Sequence, residues 1–295
     1  MIPVRGMLFL ESHDLWIFKH VAELQSVSRA AEKLGYVQPN VSQRIKSLED
    51  ELGARLFMRN NRGVTLTEEG KVLFDYTNQI IKLMDEAKSL INPKKWREPL
   101  TIGASQTISA VRIPQLFSSF LREHKNIDVK VKTHDKKKLQ EMLSYGELDG
   151  IFINGANNYP QFETVYSYFE KLVLVFPQHS QFEKKHEQTL IVNSDPNCIY
   201  RNKTLEFSKE NNFYDPAIME FDSLESILQA VQDGLGISII PADVAKNRTE
   251  VQLIQCKELS ETIKIDFLIK HRKQQPQGLK KFIQFLKLKD AIIED

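Results

Sequence analysis

The spacing of apolar residues changes once along this chain, near Pro99, and that change limits which cores it can build. From Asp14 to Ile91 the spacing is helical throughout. Leu15, Phe18 and Ala22 form a first stripe, broadened by Ile17, Val21 and Leu24. Ala30, Ala31 and Leu34 mark a short second helix, which the Ser28 side chain is placed to cap. A third helix opens at Gln38-Pro39 and is expected to bury Val41, Ile45, Leu48 and Leu52. Gly53 to Thr67 reads as a charged, turn-like stretch, Glu68 to about Leu90 as one long helix, and Asn92 to Pro99 as a hinge. Beyond Pro99 short apolar strands alternate with helices: Leu100–Ala104, a helix over Ile113–Leu121, Val129 and Val131, a helix with Leu139, Met142 and Leu143, then Gly150–Ile153 and Leu172–Phe176. A helix over Leu224–Val231, strands at Gly236–Pro241 and Asp266–Ile269, and a helix over Leu279–Leu288 follow. Such alternation predicts a separate α/β domain with a largely parallel sheet.

Composition matters chiefly for what it excludes. Forty Lys and Arg against 39 Asp and Glu give a formal charge of +1, so nucleic-acid binding requires a local patch. Two cysteines, Cys198 and Cys256, make neither a disulfide scaffold nor a four-ligand zinc site. The run Met7–Leu10 is too short for a signal-peptide core, and no stretch reaches the ~18 apolar residues of a membrane span. The expectation is a soluble, cytoplasmic protein with no membrane partner. There is no Gly-rich phosphate loop, no Gly-x-Ser-x-Gly elbow and no metal-spaced cluster, and the seven histidines are scattered. No enzyme activity, cofactor or metal is expected.

Val27 to Lys46 has the anatomy of a helix-turn-helix: a short helix on alanines, a turn at Gly35, and a second helix with Pro39 in its first turn. With Val41, Ile45 and Leu48 inward, the opposite face presents Pro39, Asn40, Gln43, Lys46 and Ser47. Asn and Gln suit base edges, and Lys46 suits phosphate. Ser42 and Arg44 flank that face. Arg55, Arg59 and Arg62, with no acidic residue between Gly53 and Leu66, suit a wing along the phosphate backbone. On periodicity alone, a solvated helix pair followed by a basic loop fits equally well.

The string from Ser28 to Gly70, SRAAEKLGYVQPNVSQRIKSLEDELGARLFMRNNRGVTLTEEG, resembles the N-terminal domain of LysR-type transcriptional regulators. The shared positions are Ala30-Ala31, Leu34, Gln38-Pro39, Ser42, Ile45, Leu48-Glu49, Leu52-Gly53, Leu56-Phe57, Arg59, Leu66-Thr67 and Gly70, at unbroken spacing. Val37 departs, because the family usually carries Ser there. The resemblance implies a winged helix-turn-helix with the Pro39 helix in the major groove of double-stranded promoter DNA. It assigns Ser28, Gln38, Pro39, Asn40, Ser42, Gln43 and Lys46 to the helices and Arg55, Arg59 and Arg62 to the wing region. The second half resembles the family's effector-binding domain in LTIGAS (100–105), GELDGIF (146–152), LVLVFP (172–177), NCIYR (197–201) and DSLESILQAVQDGLGISIIP (222–241). That implies two α/β lobes, like a periplasmic binding protein, around a small-molecule cleft.

The expected chain is therefore α+β and multidomain. It comprises an extension (1–10), a winged helix-turn-helix (11–68), a linker helix (69–92), a hinge (93–99) and a two-lobed effector domain (100–295). Lobe I is placed at about 100–165 and 268–295, lobe II at about 166–267. In the linker helix Leu73, Tyr76, Ile80, Leu83, Ala87 and Leu90 recur at spacings of 3 or 4, widened by Phe74, Ile81 and Met84. The resemblance favours pairing of this stripe with a second copy over packing on its own domains. It also implies a tetramer and, for an activator, contact with RNA polymerase.

In the α/β half polar residues gather where strands end and helices begin: Ser105-Gln106-Thr107, Thr133-His134, Asn154-Gly155 and Asp222-Ser223. By position in the family Ser105, Gln106, Thr107, Thr133 and Arg201 would line the cleft and favour an anionic or strongly polar ligand. Arg201 in a structural salt bridge is the competing reading. Cys198 has two readings as well, a one-cysteine sensor activated by Arg201 or a buried thiol on a strand. A binding protein or enzyme with a helical oligomerisation module is the alternative to a regulator.

Overall fold

The computed structural model describes residues 10–60, 63–155, 157, 159–178, 189–250, 254–272 and 274–291, so Arg62 and most of the 1–10 extension lie outside the described residues. Two units form, one from Met1–Pro99 with Glu141–Leu148, the other from Leu100–Gln140 with Asp149–Asp295.

In the first unit α1 (Ser12–Leu24) buries Leu15, Ile17, Phe18 and Val21. The second helix, α2 (Val27–Leu34), packs on Ala30 and Ala31, whose small side chains allow close approach. Its cap is Ser26, whose side chain accepts from the Arg29 amide, and not Ser28 as expected; the helix starts two residues earlier than the apolar pattern suggested. The third, α3 (Gln38–Leu52), carries Pro39 in its first turn and buries Val41, Ile45 and Leu48. Leu52 is exposed, contrary to expectation, because the helix ends there at left-handed Gly53. The N-cap of α3 is Val37, which supplies no side-chain bond, so the departure from the family's Ser leaves that terminus without a side-chain cap. Strands β1 (Phe57–Asn60) and β2 (Gly63–Leu66) pair antiparallel as the wing. The long helix α4 (Glu68–Ile91) is capped by Thr67, which accepts from the Gly70 amide at 2.9 Å. Gly70 is required by contact: a Cβ there would lie 2.1 Å from the Leu56 carbonyl oxygen. The rings of Phe18, Phe57 and Phe74 meet at the centre of this core.

The second unit runs β3 (Glu98–Ala104), α5 (Gln106–Glu123), β4 (Ile127–Thr133), α6 (Lys136–Ser144), β5 (Gly150–Asn154) and β6 (Phe162–Pro177). It continues with β7 (Leu190–Asn193), α7 (Ile199–Glu210), β8 (Ile218–Phe221), α8 (Leu224–Gln232), β9 (Ser238–Pro241), α9 (Ala242–Glu250), β10 (Ile254–Lys270) and α10 (Gln277–Ala291). The main sheet has the order β4-β3-β5-β10-β6-β9, and β7 pairs with β8 in a smaller one. The sheet is not largely parallel, which corrects the expectation. Its two longest strands, β6 and β10, pair antiparallel from Phe162↔Lys270 to Pro177↔Ile254, with irregularities between Glu258 and Thr262 and between Phe267 and Leu268. Parallel pairing is retained between β3 and β5 and between β7 and β8. One half of the β6–β10 ribbon borders β5, and the other half borders β9. The same two strands thus run through both lobes, and the division expected at 165/166 and 267/268 falls inside them. One core gathers Phe117, Phe120, Phe152, Phe267 and Phe282, with Phe117 stacked on Phe282 at 5.0 Å. A second, around Val173, Val175, Ile191, Leu228 and Val231, lies under α8 and α9. Among the described residues no helix is long and apolar enough to cross a membrane.

Candidate nucleic-acid interface and effector cleft

Burial of Val41, Ile45 and Leu48 turns the other side of α3 outward, leaving Gln38, Pro39, Asn40, Gln43 and Lys46 exposed. Pro39, Ser42, Gln43 and Lys46 line one wall of an open groove of about 670 Å³. Gly53, Ala54, Arg55 and Arg59 line it at the base of the wing, and Glu49 and Asp50 also border it. Glu49 joins the two sides: its Oε1 accepts from the Leu56 amide at 2.8 Å and the Phe57 amide at 3.2 Å, fastening β1 to α3. Thr67 adds a second fastening by donating its hydroxyl to the Arg55 carbonyl at 2.7 Å. Among the described residues, no ion pair engages Lys46, Arg55 or Arg59, so their charge is available to an anion. Arg44, expected to flank the DNA face, is instead held by Asp14 at 2.5 Å. Ser28 and Gln38 are bonded to each other, the Ser28 hydroxyl donating to Gln38 Oε1 at 3.0 Å. Glu49 was recognised in the sequence only as part of the motif; its wing-holding role depends on a contact seven residues away.

On α4 the stripe divides. Phe74 is buried in the core of its own unit and Leu73 packs partly against it. Tyr76, Leu83 and Leu90 are each more than half exposed, and Ile80 and Ala87 are exposed with them.

The second unit contains a cleft of about 660 Å³. One wall holds Ser105, Gln106 and Thr107 at the start of α5, Thr133 at the end of β4, and His134 to Lys136 at the start of α6. Asn193 to Asp195, Asn197 and Cys198, which lead into α7, face them, with Tyr200 and Asp222. Ser105 is the N-cap of α5 but makes no side-chain cap bond. Thr107 is 9% exposed. The Thr133 hydroxyl donates to Ser109 Oγ at 3.1 Å. Lys136 donates to the Asn154 carbonyl at 3.0 Å. Burial holds its ammonium below the usual lysine range, with Asp266 acting the other way.

Two expectations are corrected here. Arg201 is not brought to the cleft. Its guanidinium donates to the Asn193 carbonyl at 2.7 Å and pairs with Glu220 at 2.7 Å, tying α7 to β7 and β8. Cys198 lies at the N-cap of α7 and not on a strand. Burial pushes its thiol up, and the backbone amides of Arg201 and Tyr200 only partly oppose this, which disfavours the thiolate. The whole Asn193–Asn197 wall went unassigned in the sequence, although its Asn-Ser-Asp-Pro-Asn turn signal follows an apolar run.

The chain matches the model of bacterial regulatory helix-turn-helix proteins of the lysR family over residues 12–71. Residues 93–290 match the LysR substrate binding domain. It is 39% identical over 267 residues to the HTH-type transcriptional regulator YusT of Bacillus subtilis, covering 88% of this chain and 90% of that one. The fold is similar to that of full-length CbnR solved with its target DNA (TM-score 0.63, 20% identity, 95% and 99% of the two chains). It is also similar to that of LysG from Corynebacterium glutamicum with bound effector Arg (TM-score 0.63, 18% identity, 97% and 99%).

Proposed function

This chain belongs to the LysR family of bacterial regulatory helix-turn-helix proteins, and from that premise we infer how its own residues divide the work. It is a DNA-binding transcriptional regulator with a small-molecule effector domain, not an enzyme. We assign base contact to Gln38, Asn40 and Gln43 and phosphate contact to Ser42, Lys46, Arg55 and Arg59, and from the sequence alone to Arg62; Ser28 joins the DNA face through its bond to Gln38. Pro39 shapes the start of the reading helix. The observation that carries this assignment is the groove in which Pro39, Ser42, Gln43 and Lys46 of α3 meet Arg55 and Arg59, with Gln38 and Asn40 exposed on the same helix. LysR-type regulators are oligomeric. The exposed part of the α4 stripe (Tyr76, Ile80, Leu83, Ala87, Leu90) supports pairing there, because an apolar helix face in water favours a partner. A two-fold dimer matches an inverted-repeat site, and pairing of effector domains would complete a tetramer. The protein acts in the cytoplasm, where its DNA is, and as an activator it would also meet RNA polymerase.

The effector is assigned to the cleft, on Ser105, Gln106, Thr107 and Thr133. The start of α5 offers amide groups without a side-chain cap, and a helix N-terminus carries roughly half a positive charge, so an anionic or strongly polar ligand is favoured. A mobility shift on DNA upstream of the protein's own gene, repeated at rising salt, tests the reading. A sequence-dependent shift that weakens steeply with salt is expected; no shift at moderate salt on any neighbouring promoter would overturn it.

A further inference from the structure

Ser28 is the second residue of α2 and Gln38 the first of α3, and their side chains meet across the turn of the helix-turn-helix. The cap of α2 is already filled by Ser26. The Ser28 hydroxyl is therefore spare, and it donates to Gln38 Oε1 at 3.0 Å. An unconstrained glutamine amide can turn either end toward a base. With its oxygen held back toward α2, this one presents its NH₂ group, which only donates. In the major groove guanine offers two acceptors, N7 and O6, whereas adenine offers N7 and an N6 donor that needs the amide oxygen as partner. Both side chains are exposed, so water competes with the bond in the free protein. Displacement of that water by bound DNA would strengthen the bond.

We propose that Ser28 is a positioning residue that fixes the amide of Gln38 as a donor, so that Gln38 selects guanine over adenine at the base pair it reads. The inference rests on the assignment of Gln38 to the DNA face. The test is selection of the full-length protein on a library of randomised double-stranded DNA, with sequencing of the bound fraction. The unmodified chain is expected to favour guanine over adenine by about tenfold at one position in each half-site. Gln38→Ala should erase the preference at that position alone. Ser28→Ala should bring adenine to within about threefold of guanine there and leave other positions unchanged, while Ser28→Thr, which keeps the hydroxyl, should restore the original profile. An unchanged guanine preference in Ser28→Ala, or a uniform loss of affinity at every position, would overturn the proposal and leave Ser28 a phosphate contact. If Gln38→Ala leaves the profile intact, Gln38 does not read a base and the proposal also falls. If the unmodified chain enriches no sequence at all, the regulator assignment itself has failed, an outcome distinct from either of these.

Discussion

Asn40 and Gln43 are exposed on the side of α3 opposite its buried residues, and neither is needed to hold the fold. Replacing either with Ala should cost roughly 1–3 kcal/mol on the specific site and much less on random DNA. Arg59→Ala should weaken both and flatten the salt dependence by about one unit of slope. Titrations on both DNAs at several salt concentrations separate the two roles, and equal losses for Gln43→Ala on both would make it a positioning contact. Glu170 poses a different question. Its side chain is half-buried and its carboxyl meets the hydroxyls of Tyr200 and, at 3.3 Å, Tyr168. Burial raises its pKa, against the two tyrosine hydrogen bonds that favour the carboxylate. A carboxyl whose folded pKa is raised contributes its full stability below the unfolded value and loses it as pH climbs through the folded one. Replacing it with the neutral amide in Glu170→Gln should therefore raise the melting temperature relative to the unmodified chain more at neutral pH than at acid pH. A difference that does not change with pH would show the carboxylate to be fully compensated. The exposed reading residues were legible in the sequence because helical periodicity alone turns them outward. The environment of Glu170 was not, because Tyr200 comes from an element 30 residues away.

At the scale of the element, α4 has more apolar surface than its own unit covers. Ile80→Glu should place two like charges at a symmetric seam and raise the dimer dissociation constant by at least about a hundredfold. Light scattering would show monomer at concentrations where the unmodified chain is dimeric; an unchanged oligomer would move the interface off this stripe. The wing makes the opposite demand, for closeness. Gly70→Ala forces a methyl group against the Leu56 carbonyl, which has no flexible end to yield, and should cost roughly 1–3 kcal/mol. Thermal unfolding would register this, with DNA affinity falling alongside because Leu56 and Phe57 are held by the reading helix. Elements with one apolar face, such as α1, α3 and α4, were visible in the sequence. The strands β6 and β10 were recognised only at their buried ends, Leu172–Phe176 and Asp266–Ile269. Their middles are half-exposed and carry no long apolar run.

Across the whole molecule, the two proposed sites fall in different units, so residues of the proposed cleft can be replaced without altering α3 itself. Ser105→Ala and Thr107→Val each remove one hydroxyl from the cleft wall without touching α3, and each should weaken a bound anionic effector by about tenfold. A thermal-shift screen of polar metabolites would find the ligand, since binding to the folded state alone raises its melting temperature. Calorimetry on the two variants would then test the site. Unchanged affinity in both, with folding intact, would place the pocket elsewhere. Arg201→Ala, by contrast, should lower stability through the lost Glu220 and Asn193 contacts and leave the ligand's charge preference unchanged.

By itself the sequence determined whatever depends on neighbours along the chain. The helix periods, the turn glycines Gly35 and Gly53, the Pro39 start of the reading helix and the break at Pro99 all follow from local backbone preference and one-sided burial. Only the tertiary structure decided matters that require two distant segments to meet. It gave Arg201 to Glu220 and withheld it from the cleft, and gave Arg44 to Asp14 and withheld it from the DNA face. It ran β6 and β10 antiparallel through both lobes and set the Asn193–Asn197 turn opposite Ser105. The physical reason is the reach of each interaction. Periodicity records which way a side chain points, but charge and hydrogen-bond partners depend on where the rest of the chain has been packed, and spacing along one strand carries no record of that.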